Sequence, residues 1–375
     1  MKLALLLQAL LCCLAAPAVQ AQSTIPDTPY SGTTRTYYVG AVEEEWDYAP
    51  QGEDLTMGHP FTPDEQVWVE SGPTRIGRRY LKARYVAFTD ATFSTRAPAP
   101  SEWAHKGLLG PVIRAEVGDS ILVVFRNMTS RPYTVHAHGV RYDKASEGAM
   151  TLDGTSAREM EDDHVLPGQT FTYRWFVPER AGPGPDDPSS VVWLYHSHVD
   201  PTRDVNAGLV GVIVVTRRGA ARPDGSPADV DREFVTLFTI FDENKSWYLD
   251  ENVRRYTSSP GNVDVEEEGF VESNLKHAMN GYLFGNLPLL SMGEGERVRW
   301  YLVGMGTEAD VHTPHWHGNT VVWEGRHTDT VSLLPAVMLT ADMVPDSPGV
   351  WMYHCHVDDH VAAGMTGRYE VVPRR

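Results

Sequence analysis

The segment Tyr353-His354-Cys355-His356-Val357-Asp358-Asp359-His360, with Met365 five residues beyond it, decides how this chain is read. Cys355 is the only cysteine outside the first thirteen residues. A thiolate with two imidazoles, and a thioether for a weak axial position, is the ligand set of a blue-copper electron-transfer centre. Soft sulfur together with imidazole selects copper on ligand type. On an extended strand successive side chains face opposite ways. His354 and His356 therefore point away from Cys355, so one short segment serves one copper through sulfur and presents two imidazoles to a different metal centre behind it.

Working outward, the same pattern recurs. Val192-Trp193-Leu194-Tyr195-His196-Ser197-His198-Val199-Asp200 matches Val350-Trp351-Met352-Tyr353-His354-Cys355-His356-Val357-Asp358. Ala-Gly-Leu at 207–209 matches Ala-Gly-Met at 363–365, and His136-Ala137-His138-Gly139 matches His315-Trp316-His317-Gly318. Short apolar runs at 121–126, 209–215, 234–241, 297–303 and 367–372 are separated by Gly, Pro, Asp and Asn clusters, and long helical periodicity is absent. These features predict an all-β chain made of two copies of a β-sandwich. The polar, Pro- and Gly-rich stretch 218–231 is the expected linker between a first domain at 35–217 and a second at 232–375.

The copies differ at the metal positions. In the second, His312, Cys355, His360 and Met365 complete one blue-copper set. The corresponding positions in the first are Tyr133, Ser197, the Pro201/Thr202 region and Leu209, which supply no soft ligand set. The first copy keeps four imidazoles, His136, His138, His196 and His198, to set beside His315, His317, His354 and His356. Eight imidazoles suffice for a dinuclear metal pair and a third ion. A lone His-x-His pair is weak evidence, whereas four pairs in duplicated context, one enclosing the sole cysteine, are specific. His59, His105, His164 and His327 match no motif and are read as structural or solvated.

At the amino terminus, Lys2, the apolar run 3–16 and Val19-Gln20-Ala21 read as a secretory signal peptide, residues 1–21, which would take Cys12 and Cys13 with it. That predicts a secreted or periplasmic product. No other apolar run approaches the ~18 to 20 residues of a membrane helix. With 50 acidic against 32 basic residues the formal charge is −18, which argues against nucleic acid or an anionic membrane as partner.

The motifs HAHG, HSH, HTPHWHG and HCHVDDHVAAGM, in that order, resemble those of the multicopper oxidases across both halves of the chain. The resemblance implies two cupredoxin-like Greek-key domains and four coppers per chain. By it His312, Cys355, His360 and Met365 bind type 1 copper, and His136 and His315 bind type 2. His138, His196, His198, His317, His354 and His356 then bind the type 3 pair. It also implies four one-electron oxidations at type 1, transfer through Cys355 to His354 and His356, and reduction of O₂ to two waters. Two-domain members similar to this chain, the small laccases, are homotrimers that share each trinuclear site between subunits, so a closed heterologous ring is expected.

Glu272-Ser273-Asn274-Leu275-Lys276-His277, with Phe284-Gly285-Asn286 and Gly304-Met305-Gly306, resembles the ceruloplasmin and hephaestin group of ferroxidases. That likeness implies an Fe²⁺ site at Glu272, His277 and Asp359 beside type 1 copper. The alternatives are a laccase-like oxidase of phenols or aromatic amines, and a copper carrier without turnover; a carrier has no use for the first-half histidines. Copper nitrite reductase, also two-domain and trimeric, has one His before its Cys and lacks the four pairs. Glu147 and Tyr142, which follow HAHG, match acid and tyrosine positions that serve as proton and radical relays in small laccases.

Overall fold

The structure, a computed structural model, describes residues 32–374 apart from 153 and 157–159. The expected signal peptide lies outside the described residues. The first half contains β1 (Thr34–Asp47), β2 (Arg79–Phe88), β3 (Ile113–Glu116), β4 (Ser120–Asn127), β5 (His136–Ala137), β6 (Thr170–Phe176), β7 (Ser190–His196) and β8 (Val210–Thr216). They form two sheets, in the orders β2-β1-β4-β6 and β3-β8-β7-β5. The second half contains β9 (Arg232–Asp242), β10 (Leu275–Met279), β11 (Leu290–Gly293), β12 (Val298–Gly304), β13 (Pro314–Trp316) and β14 (Val321–Trp323). It continues with β15 (Arg326–Thr328), β16 (Met338–Met343), β17 (Gly349–Cys355) and β18 (Thr366–Val372). Its sheets run β10-β9-β12-β16-β14-β15 and β11-β18-β17-β13. The helices are short: α1 (Gln66–Val69), α2 (Pro201–Ala207), α3 (Leu249–Tyr256), α4 (Glu268–Ser273) and α5 (Asp358–Ala362).

The duplication read from the motifs extends to strand pairing. β1 runs parallel to β4 as β9 does to β12, and β3 runs parallel to β8 as β11 does to β18. His136 sits opposite His196 across β5 and β7, and His315 sits opposite His354 across β13 and β17. Within the first sandwich β4 alternates strictly, placing Ile121, Val123 and Phe125 in a core with Tyr173 and Trp175. That alternation is what one buried sheet face requires.

β8 and β12 depart from alternation because they are buried on both faces. Ile213 and Val215 face the first core, while Val210, Val212 and Val214 meet Val235, Leu237, Tyr301 and Val303 of the second half in a shared interdomain core. Polar contacts reinforce the seam: Arg114 grips Glu233 at 3.0 and 2.8 Å, and the His105 Nε2 accepts from the Val235 N–H at 3.2 Å. The 218–231 stretch therefore joins two bodies already packed together. It folds on itself, with Arg222 donating to the carbonyls of Pro227, Ala228 and Val230.

The excursion between β1 and β2, residues 48–78, packs over the second half and supplies polar partners to buried charge there. Lys82 and Glu243 pair with both side chains fully buried, and Tyr48 donates to the same carboxylate at 2.6 Å. The Lys276 ammonium donates to the carbonyls of Trp68, Gly77 and Ser273, so its three donors are matched by three acceptors.

Candidate metal centres

β17 ends at Cys355 and delivers alternate side chains as the strand period demands. Cys355 is fully buried in the second core together with Met365, while His354 and His356 face β13 and solvent. The Cys355 Sγ lies 3.9 Å from His312 Nδ1 and 3.5 Å from His360 Nδ1, and these two nitrogens are 3.2 Å apart. Met365 is tied to the same group: its carbonyl accepts from Cys355 N–H at 3.2 Å, and its own N–H donates to His360 carbonyl at 2.8 Å. His360 enters from α5, the single turn and a half between Cys355 and Met365.

The neighbours orient these ligands. A carboxylate only accepts, so the Asp310 Oδ1 at 3.3 Å fixes the proton of His312 on Nε2 and leaves Nδ1 as a lone pair turned toward sulfur. Asp310 is itself buried and held by N–H groups of Ile240 and Thr307. The Thr313 N–H donates to Cys355 Sγ at 3.4 Å. Burial pushes the thiol up. A bound cation offsets this by stabilising the thiolate. The donor set of one sulfur, two imidazoles and a buried thioether fits copper.

The same place in the first half is closed by other groups. Thr134 N–H donates to Ser197 Oγ at 3.1 Å, as Thr313 N–H does to Cys355, and Ser197 N–H donates to Leu209 carbonyl as Cys355 does to Met365. Asp204 of α2, and not the Pro201/Thr202 region, takes the His360 place: Leu209 N–H donates to its carbonyl at 3.1 Å, and its carboxylate accepts from the Ser197 hydroxyl, Val199 and Asp200 N–H, and the Trp247 indole. Tyr133 stands at the His312 position, fully buried, with its hydroxyl 3.2 Å from that of Tyr248.

Two histidine quartets lie at the sandwich ends. In the first, His138 Nε2 is 3.1 Å from His196 Nε2, and the His136 ring is 5.0 Å from His198. In the second, His354 Nε2 is 3.2 Å from His315 Nδ1 and 3.1 Å from His317 Nε2, and the His356 ring is 5.2 Å from His315. Outer nitrogens are engaged: His136 Nδ1 with the Glu147 carbonyl, His196 Nδ1 with the Ser197 carbonyl, His354 Nδ1 with the Cys355 carbonyl. Each of the three bonds leaves the other nitrogen unprotonated, as metal ligation requires. Burial holds His138 and His354 down to about 4 and His196 to about 3, so all three are neutral imidazoles. Among the described residues no ring contact links one quartet to the other; each is closed within its own half.

The glycine of each His-x-His-Gly motif has a structural task. Gly139 (φ +76°) and Gly318 (φ +74°) lie under Trp193 and Trp351, where an added Cβ would fall 2.2 and 2.6 Å from the indole. Left-handed backbone and ring contact together leave room only for glycine.

The relay and iron residues are placed less uniformly. Glu147 touches His136 through its backbone carbonyl, its carboxylate being paired with Lys144, and Tyr142 packs 5.9 Å from the His136 ring. His277 is buried with its ring 5.0 Å from His360, and its Nδ1 has no hydrogen-bond partner among the described residues. Asp359 is exposed in the first turn of α5, and Glu272 is exposed near the end of α4. Sequence reasoning missed Asp310, whose signal was an acid two residues before His312. It also missed Asp162, a buried carboxylate that accepts from Gly148 N–H and that burial pushes up to about 6.

Two cupredoxin-like sandwiches, one with a Cys/His/His/Met centre and each with a histidine quartet, define a copper-binding oxidoreductase class. Residues 88–220 and 256–375 each match a family model described as multicopper oxidase, and the chain belongs to that family. It is 49% identical over 341 residues to Ferroxidase HEPHL1 of Mus musculus, covering 90% of this chain and 29% of that protein. Human hephaestin is 44% identical over 344 residues (91% and 29%), and human ceruloplasmin 41% over 344 (92% and 32%). The chain thus spans about a third or less of the length of these relatives. Among solved structures, one titled crystal structure of multicopper oxidase aligns with TM-score 0.57 at 19% identity, covering 92% of this chain and 90% of the other. The blue copper oxidase from Nitrosomonas europaea aligns with TM-score 0.56 at 19% identity (90% and 86%). These two likenesses are of fold.

Proposed function

We propose that the chain is a ferroxidase-type multicopper oxidase, taking electrons singly from Fe²⁺ and reducing O₂ to water. Four Fe²⁺, one O₂ and four protons give four Fe³⁺ and two waters. Copper bound at His312, Cys355, His360 and Met365 and at the two quartets supplies the one-electron and O₂ chemistry, with four ions per chain. The observation that carries the iron reading is His277: a buried imidazole with an unpartnered Nδ1, its ring 5.0 Å from that of the copper-site ligand His360. Burial holds His277 down to about 4, neutral and available to a cation. Asp359, adjoining His360, and Glu272 do not gather within ligand distance of His277 among the described residues, and would have to turn toward it to complete a carboxylate and imidazole set suited to Fe²⁺. The names of the relatives favour the same substrate.

Each quartet closes within its own half, and this supports assembly of the O₂ site between chains, the first half of one copy against the second half of the next. A closed homotrimer satisfies that geometry. In this arrangement Tyr142 and Glu147 border His136 and belong to the proton and electron relay.

The laccase-like reading rests on one feature, a mainly apolar cavity of about 310 Å³ at the seam, lined by Val205, Ile240, Leu275, Met305 and Asp310 among others. An organic reductant there would stand one hydrogen bond from His312. The test is O₂ uptake by copper-loaded protein with Fe²⁺ and with a dimethoxyphenol, on wild type and Glu272→Ala/Asp359→Ala. Loss of Fe²⁺ turnover alone supports the iron site; parallel loss or retention of both activities refutes it.

A further inference from the structure

The excursion 48–78 carries a cluster that the copper chemistry does not use. Asp54 and His59 are bridge partners in a tight turn: Asp54 N–H donates to the His59 carbonyl at 3.0 Å, and Gly58 and His59 N–H donate back to Asp54 at 2.8 and 3.2 Å. Asp54 is only 4% exposed. Its Oδ1 accepts from Thr56 and Met57 N–H at 2.7 and 3.0 Å, and among the described residues no donor reaches its Oδ2. The His59 Nδ1 lies 2.9 Å from the Pro60 carbonyl, which can only accept, so the lone pair is on Nε2.

Glu65 joins them from the start of α1. Its Oε2 accepts from Thr62 N–H at 2.7 Å while Thr62 Oγ1 accepts from Glu65 N–H at 3.4 Å, a reciprocal capping arrangement that fixes the carboxylate. One ligand atom from each of Asp54, His59 and Glu65 lies within 4.8 Å of the other two. Neither acid is paired with Lys or Arg among the described residues. Burial pushes the Asp54 carboxyl up, and the adjacent Glu65 charge adds to it. A largely buried carboxylate whose Oδ2 is open to solvent, beside a second carboxylate and an imidazole lone pair, presents three converging donors to a cation.

We propose that Asp54, His59 and Glu65 form a divalent-cation site separate from the copper centres. Two carboxylates and one imidazole suit a first-row ion such as Mn²⁺, Fe²⁺ or Zn²⁺, with water completing the shell. The site holds the excursion against the strand that follows Met365. Leu55 N–H donates to the Phe284 carbonyl at 2.9 Å, Thr56 and Thr366 hydroxyls are 2.8 Å apart, and Phe284 N–H donates to the Gly364 carbonyl at 2.8 Å. A bound cation therefore stabilises the segment that carries the thioether ligand.

The test is Mn²⁺ titration of the copper-loaded protein, followed by loss of the free-ion EPR signal. It is run in the Glu272→Ala/Asp359→Ala background, so that binding at the proposed iron site does not contribute. Adding His59→Gln should weaken binding about ten-fold or more, and Asp54→Asn/Glu65→Gln should do the same. Mn²⁺ should raise the Tm of the parent and leave that of His59→Gln unchanged. His59 is partly exposed, so His59→Gln decides the matter if the acidic double variant does not fold; retained blue absorption reports folding. Equal Mn²⁺ affinity in parent and His59→Gln overturns the proposal.

Discussion

The Asp310 carboxylate accepts from His312 Nε2 at 3.3 Å, and this bond turns His312 Nδ1 toward Cys355 Sγ, 3.9 Å away. Three constraints meet in it: the tautomer of the imidazole, the direction of its lone pair, and the loop 304–310 on which the acid sits. Asp310→Ala should therefore weaken copper at the Cys355 site by about ten- to a hundred-fold. Blue absorbance per chain under increasing chelator measures this; unchanged retention would show that packing alone orients His312.

In the first half Asp204 stands at the place of His360, with four donors converging on its carboxylate. Asp204→Ala should cost about 2–4 kcal/mol in urea unfolding, because buried donors are left unmatched. Ser197→Cys should add no second blue band, since Tyr133 and Leu209 supply no further ligand and the Asp204 carboxylate occupies the space.

His105 reports the interdomain seam. Its Nε2 accepts from Val235 N–H, and burial holds its pKa down to about 4 from 6.5. The unfolded chain takes up the proton first as pH falls. The stability this neutral imidazole contributes is therefore complete above 6.5 and lost as pH falls toward 4, by up to about 3 kcal/mol. His105→Gln should flatten urea midpoints between pH 6.5 and 4.5, whereas an unaltered slope would locate the acid sensitivity elsewhere.

The proposed sharing of an O₂ site between copies can be read by complementation. His198→Ala and His356→Ala should each keep the blue band and lose O₂ reduction. Unfolding and refolding the two together should restore part of the activity if sites form between chains, because some interfaces then pair two intact quartets. No recovery in a mixed oligomer of confirmed composition would place both quartets of a working site in one chain.

The duplicated motifs made the fold class legible and pointed to the residues that the structure gathers into the Cys355 group and the two histidine quartets, because donors to a soft metal are few in kind and their spacing follows the strand period. The seam was less legible. The stretch 218–231 reads as a spacer by composition, yet Val210, Val212 and Val214 bury a full sheet face against the second half. Continuous apolar runs in β8 and β12 carried that signal, although such runs do not say what lies on the second face.

By itself the sequence determined which residues offer sulfur and imidazole donors and which half has no thiolate, since these are matters of side-chain chemistry and period-two alternation. The tertiary structure alone decided that Asp310 orients His312, that Asp204 takes the His360 place in the first half, and that the quartets stand apart. It also brought Asp54, His59 and Glu65 together. Those relationships depend on loops whose paths are set by packing between distant segments, and no local periodicity encodes such packing.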